Sequence, residues 1–167
     1  GFNMASISLC DAAATVTGDS AVGGLAGQNF GGTVMQCDAG GSVAASEGNA
    51  GGLVGFNNFG GTVSQSSAAA TVTATGVFTG VAAGGLVGRN EANVTESHAA
   101  GTASSTEYAG GLVGLNQAGA ISLSYATGEV IATETADGLG GLRWGGPVSG
   151  SDEMRAGRVT DEPLGAA

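Results

Sequence analysis

The side chains able to do chemistry are few and scattered. His98 is the only histidine, Cys10 and Cys37 are the only cysteines, and no lysine occurs in 167 residues. A catalytic triad needs a base oriented by a third group, and a closed zinc site needs several nitrogen or sulfur donors. One imidazole and two thiols supply neither. Without lysine there is no Walker-type phosphate loop, no Schiff-base amine and no polybasic arm. Fourteen carboxylates face four arginines, for a net charge of −10, so no cationic face exists to displace counterions from nucleic acid. The carboxylates are dispersed. Glu91 lies near Glu96, and Asp152 beside Glu153, but neither pair recurs at a fixed interval. Carboxylates and loop carbonyls suit calcium, the one cation left open here, at a single corner. Otherwise dispersed acidity gives a solvated surface. The sequence predicts no catalytic residue, no cofactor and no enzyme.

Any positioning of side chains must come from repetition. With 34 glycines and eight aromatic residues, the chain cannot build a bulky core; small side chains must pack closely against copies of themselves. Two prolines and the lack of a three-residue glycine period exclude collagen, and a 42% hydrophobic content argues against disorder. Gly-Gly-Leu recurs at 23–25, 51–53, 84–86, 110–112 and 140–142. The first four copies continue as GGLAGQN, GGLVGFN, GGLVGRN and GGLVGLN, while the fifth, GGLRWGG, reads as decayed. Between copies, an Ile or Val (Ile7, Val34, Val63, Val94, Ile121) precedes a small residue three positions on (Cys10, Cys37, Ser66, Ser97, Ser124). Then comes Ala (Ala12, Ala39, Ala68, Ala99, Ala126), followed by Val16, Val43, Val72, Ala103 or Val130. Repeats of this length signal a solenoid.

Each copy holds three short β-like runs, around Ile7, Val16 and Leu25 in the first, separated by Gly, Asn or small polar clusters. The expected fold is all-β: a right- or left-handed parallel β-solenoid of about five coils of three short strands over residues 1–142, with coils about 4.8 Å apart. Residues 143–167 hold seven of the 18 charges, both prolines and the only tryptophan. They are read as a linker or tail, or as a cap in which Trp144 covers the last coil.

Stacking places equivalent residues above one another. Asn3, Asn29, Asn57, Asn90 and Asn116 then form a structural amide ladder at a bend. His98 shares its position with Asp11, Asp38, Ser67 and Tyr125 and reads as a surface side chain. Cys10 and Cys37 stack on adjacent coils at a Cα spacing within disulfide range, but side chains pointing the same way keep the Cβ atoms too far apart. A thiol ladder continued by Ser66, Ser97 and Ser124 is favoured, with a bridge as the alternative. In GGLVG the Leu and the next residue are adjacent. Either one of the two rows, Leu25, Leu53, Leu86, Leu112 or Ala26, Val54, Val87, Val113, stripes the exterior, or the glycines bend the chain so that both point inward. On the second strand, outward pairs flank an inward residue: Thr15/Thr17, Ser42/Ala44, Thr71/Thr73, Thr102/Ser104 and Glu129/Ile131. Thr15, Thr17, Thr71, Thr73, Thr102 and Ser104 form a candidate binding face. Asn93-Val94-Thr95 is a glycosylation sequon.

Residues 110–130, GGLVGLNQAGAISLSYATGEV, resemble the GLUG motif, whose pattern runs approximately Gly-Gly-Leu-Val-Gly-x-Asn, then Gly-x-Ile-x-x-Ser-Tyr-Ala-Thr-Gly-x-Val. The resemblance extends over residues 1–142 with declining quality. That family occurs in large bacterial surface and secreted proteins, including adhesins and IgA-specific metallopeptidases. It implies a β-solenoid on an exported protein, extracellular or at the cell surface, and transfers no catalytic residue. The first functional expectation is a non-enzymatic structural or adhesive module. The second is an ice-binding solenoid, because Thr-x-Thr arrays resemble the ice-binding faces of antifreeze and ice-adhesion proteins. The third is a non-catalytic repeat region of a secreted peptidase. Expected partners are a second copy of the chain or a host or matrix surface, with no nucleic acid and no transmembrane segment, since no stretch approaches ~18 apolar residues. Gly1-Phe2-Asn3 matches Gly55-Phe56-Asn57, so the array is expected to begin mid-repeat, with upstream coils or head-to-tail contacts that build a filament.

Overall fold

The computed structural model describes residues 1–153 and 158–159. Among these there is no helix, and the strands pair in parallel with their equivalents one coil away. Four ladders run along the molecule. The first comprises Phe2–Asn3, Ala26–Phe30, Val54–Asn58, Val87–Asn90, Val113–Gln117 and Gly140–Trp144. The second runs from Ser6–Ser8 through Thr33–Met35, Thr62–Ser64, Asn93–Thr95 and Ala120–Ser122 to Val148–Ser149. The third starts with Asp11–Gly18 and Asp38–Ala45, then continues as paired short strands such as Ser67–Ala68 with Thr71–Ala74. The fourth joins Ala21–Gly23, Asn49–Gly51, Ala82–Gly84, Tyr108–Gly110 and Thr135–Asp137. The chain is a parallel β-solenoid of about five coils with the beginning of another.

The third β-like run of each repeat is divided in two at Gly-Gly-Leu. At the break, two successive amides converge on one carbonyl of the next coil. Leu53 N and Val54 N both donate to Leu86 O (2.9 and 3.1 Å), and Leu86 N and Val87 N both donate to Leu112 O (2.9 and 3.0 Å). This bulge-like step turns the chain so that adjacent side chains point the same way. Leu53, Val54, Leu86, Val87, Leu112 and Val113 are consequently all fully buried, and neither row stripes the exterior. The turn depends on glycine: a Cβ on Gly84 would collide with the Val87 carbonyl oxygen, and one on Gly85 would lie 2.9 Å from the Cβ of Ala99. The same crowding explains why Ala recurs opposite the pair.

The fifth copy sits in a different frame from the one its Gly-Gly-Leu suggests. Val113 pairs with Gly140, Leu115 with Leu142 and Asn116 with Arg143, while the Leu139 carbonyl accepts the amides of Leu112 and Val113 (3.1 and 3.0 Å). The copy is therefore DGLGGLR over 137–143, with buried Leu139 rather than Leu142 in the core position. Coil length is set by ladder pairing, and here two overlapping frames both offer Gly followed by Leu. The ladders also pass residue 142: Val148 pairs with Ile121, Asp152 with Tyr125 and Arg158 with Ile131. Trp144 pairs with Gln117 on the outer side of the first ladder, and its ring is 61% exposed rather than closed over the core. The remainder of the segment read as tail or cap, 154–157 and 160–167, lies outside the described residues.

The core is narrow and made of stacked copies. Val34, Val63, Val94 and Ile121 line one wall, and Leu53, Leu86, Leu112 and Leu139 another. Burying each such side chain stabilises the fold by roughly 1.5–3 kcal/mol. In the first coil Ile7, Val16 and Leu25 are only half-buried, because a neighbouring coil covers one side.

Candidate functional site

The five asparagines that close GGLxGxN lie inside the bend between the first and second ladders. Each Nδ2 donates to the Oδ1 of the asparagine one coil further on: Asn3 to Asn29, Asn29 to Asn57, Asn57 to Asn90 and Asn90 to Asn116, all at 2.8 Å. The second hydrogen of each of the last four reaches a carbonyl of its own bend, as in Asn29 to Gly32 O (2.9 Å) and Asn116 to Gly119 O (2.8 Å). Asn29, Asn57, Asn90 and Asn116 are fully buried. Buried amides are tolerated only when their hydrogen bonds are made, and here the ladder makes them.

A second polar ladder runs at the next corner. Ser66, Ser97 and Ser124 each donate Oγ–H to the carbonyl two residues back, at 2.8 Å. Each also accepts an amide of the preceding coil, from Cys37 N, Ser66 N and Ser97 N at 3.1–3.2 Å. Cys10 and Cys37 continue the row as free thiols, donating to Ser8 O and Met35 O (3.2 Å each). Burial pushes the Cys37 thiol above its ordinary pKa. The residue before each member is left-handed: Leu9, Gln36, Gln65, Glu96 and Leu123 have φ between 50° and 55°. Nothing in these residue types announces that conformation, which Gly and Asn favour.

The candidate Thr face occupies the outer side of the third ladder. Thr15, Ser42 and Thr71 stack in one row, and Thr17, Ala44, Thr73, Ser104 and Ile131 in the other. Thr73 and Ser104 share a hydroxyl–hydroxyl hydrogen bond of 3.3 Å, and Thr102 is half-buried beside them. The rows are short, interrupted by Ala44 and ended by Glu129 and Ile131. His98 stands in register between Ser67 and Tyr125 and stacks on the Tyr125 ring, centroids 4.9 Å apart. Ser67 Oγ donates to Asp38 in the same row. Glu91 is paired with Arg89 (2.5 Å), whereas Glu96 accepts from Gln65 Nε2 (2.9 Å), so these two carboxylates serve different partners. Among the described residues, no group of three or more His, Cys, Asp or Glu converges on a point. Asn93 of the sequon is exposed.

Repetition of the GGLxGxN and Ser-x-Ala elements at matching ladder positions is what a family comparison detects. The family model of the GLUG motif matches residues 18–44 and 105–131. Two segments of this chain carry the GLUG motif. Its solenoid is similar to the crystal structure of a "putative immunoglobulin A1 protease" from Bacteroides ovatus, with a TM-score of 0.78 and 20% identity over 100% of this chain and 57% of that one. At that identity the likeness is one of fold. This chain spans little more than half the length of the protein it resembles. No curated protein matches the sequence.

Proposed function

We propose that these GLUG repeats form a non-enzymatic structural or adhesive module of an exported protein, secreted or held at a cell surface. The observation that carries this reading is ladder continuity: amide, hydroxyl and backbone bonds join coil to coil, giving a stiff body whose outer rows keep fixed spacing. Such a body acts by presenting surface, with no reacting centre, metal or cofactor. The motif and the solenoid shared with a "putative immunoglobulin A1 protease" support an exported setting. They fit equally a non-catalytic repeat region within a secreted peptidase. Its partners would be a host or matrix surface, or a second copy joined laterally or head to tail into a filament. The contact rows would be those of Thr15, Thr17, Thr71, Thr73, Thr102 and Ser104. Ice binding on the same rows is the second reading; the Thr73–Ser104 hydroxyl pair favours it, and the interruption at Ala44 weakens it.

The test is retention of chain-coated beads on epithelial cells and on matrix proteins under flow, run beside incubation of the soluble chain with immunoglobulin A1. The expected result is retention above uncoated beads, reduced by Thr71→Lys with Thr102→Lys, and intact immunoglobulin. Cleavage, or retention no better than uncoated beads on every surface, overturns the adhesive reading. Thermal hysteresis at high protein concentration decides the ice-binding alternative.

A further inference from the structure

The outer side of the first ladder carries a groove that the repeat pattern does not generate. Outward positions of successive coils align Arg89 with Leu115 and Leu142, and, two residues on, Gln117 with Trp144. The third repeat is the longest, with Gly-Gly-Leu at 51–53 and next at 84–86, and its extra loop reaches this face. Glu107 fastens that loop by accepting the amides of Gly80 and Val81, the latter at 2.9 Å. Thr79 and Gly80 of the loop, with Tyr108, line the same open cavity of about 290 Å³ as Trp144.

The lining combines two kinds of surface. Trp144, Tyr108 and Leu142 give planar and apolar area, with Trp144 61% exposed. Thr79, Gln117 and Arg89 bring hydroxyl, amide and guanidinium groups to the same space. Arg89 is held in place before any ligand arrives. Its guanidinium lies 4.9 Å from the Phe56 ring centroid, and Nη2 donates to Glu91 (2.5 Å) and Gln117 (2.6 Å). Its Nε is buried without a protein acceptor. Burial, then the charges of Glu107 and Glu134, push the Tyr108 phenol upward, so it stays a neutral donor. An aromatic groove with a few fixed polar groups is the usual composition of a small-ligand site.

The occupant must offer an apolar face edged by hydroxyls. An anion is disfavoured, because Glu91 already neutralises Arg89 and the chain carries −10 overall. We propose that this groove binds a neutral pyranose unit of an oligosaccharide, the sugar's C–H face stacking on Trp144 and its hydroxyls meeting Arg89, Gln117 and Thr79. The groove lies on a different face from the Thr rows, so either site can fail without the other.

Trp144 is the chain's only tryptophan, so its emission reads the groove directly. The intact chain is titrated with cellotetraose, mannotetraose and N-acetyllactosamine, and with sialyllactose and trigalacturonate as anionic comparators. The expected result is a saturable emission shift with at least one neutral sugar and none with the anionic pair, and a loss of affinity of about fivefold or more in Gln117→Ala and Tyr108→Ala. Trp144→Ala, at an exposed position that the fold does not need, is followed by saturation-transfer NMR and loses the sugar signal while keeping its urea midpoint. No saturable shift with any neutral sugar, preference for an anionic sugar, or undiminished binding by Trp144→Ala overturns the proposal.

Discussion

Replacing Asn57 by alanine removes the middle rung of the amide ladder. Two side-chain bonds of 2.8 Å disappear, one received from Asn29 and one given to Asn90, along with the donation to Asn93 O at 3.2 Å. Asn29 keeps its bond to Gly32 O (2.9 Å), and Asn90 Oδ1 keeps only the long contact from Ala92 N (3.3 Å). Each lost bond is worth about 1 kcal/mol net, and each half-satisfied buried group adds about 1 more. The expected cost is therefore roughly 4–5 kcal/mol, before any cavity term. Asn3→Ala removes one 2.8 Å ladder bond at the edge of the array, with two part-buried 3.2 Å bonds, to Thr33 O and from Ala5 N, that water can replace, and should cost roughly 1–2 kcal/mol. Urea denaturation followed by far-ultraviolet circular dichroism compares the two, and midpoints are the safer readout because solenoids can unfold coil by coil. Equal midpoints for Asn57→Ala and Asn3→Ala would show that the ladder is not cooperative with the fold, and the argument from continuity would fall with it.

Val72 is fully buried and Thr73 points outward, so Val72→Asp should abolish folding while Thr73→Asp shifts the urea midpoint little. Leu123→Gly should raise stability by about 0.5–1 kcal/mol, because glycine relieves the left-handed φ of 51° at an exposed corner; a lower melting temperature would contradict that. Cys37→Ser should keep the fold, since serine holds the same ladder position in the next three coils. In the unmutated chain Cys10 should alkylate before Cys37, and a mass showing two unreactive cysteines would refute the free-thiol row. The Cys37 pKa is raised above the ordinary 9.0, so the thiol's stabilising contribution is complete below that value and lost as pH rises through the higher folded value; a urea midpoint that climbs above pH 9 in the unmutated chain relative to Cys37→Ser would contradict the sign.

Much of the architecture is readable from spacing alone, because in a parallel solenoid equivalent residues must stack. The asparagine positions, the Cys-to-Ser row and the inward Val72 all follow from one period. Three features do not. The convergence of two amides on one carbonyl at Gly-Gly-Leu is a backbone event, and an alternating-strand rule places Leu53 and Val54 on opposite sides when both are buried. The frame of the fifth copy depends on which Gly-Leu step completes a coil of the right length, and residues 138–142 contain two such steps. The groove beside Trp144 is assembled from the variable residue of GGLxGxN and an insertion loop, which share no motif that could have marked them. Its one legible hint was the long third repeat.

Every amide in the asparagine ladder donates the same way, from each coil into the next, which makes the rod a vector. Asn3 Oδ1 accepts only the Ala5 amide, at 3.2 Å, and keeps a lone pair for another donor. At the other end the position after Asn116 belongs to Arg143, whose guanidinium has protons and no lone pair. An extra coil grafted ahead of Asn3 would meet a matching acceptor in Asn3 Oδ1, and one grafted directly after Asn116 would present its own Oδ1 to the Asn116 Nδ2 donor; only Arg143 sets donor against donor there. The row therefore stops at Arg143 rather than at a coil boundary, and Arg143→Asn is the single change that should carry it one coil further.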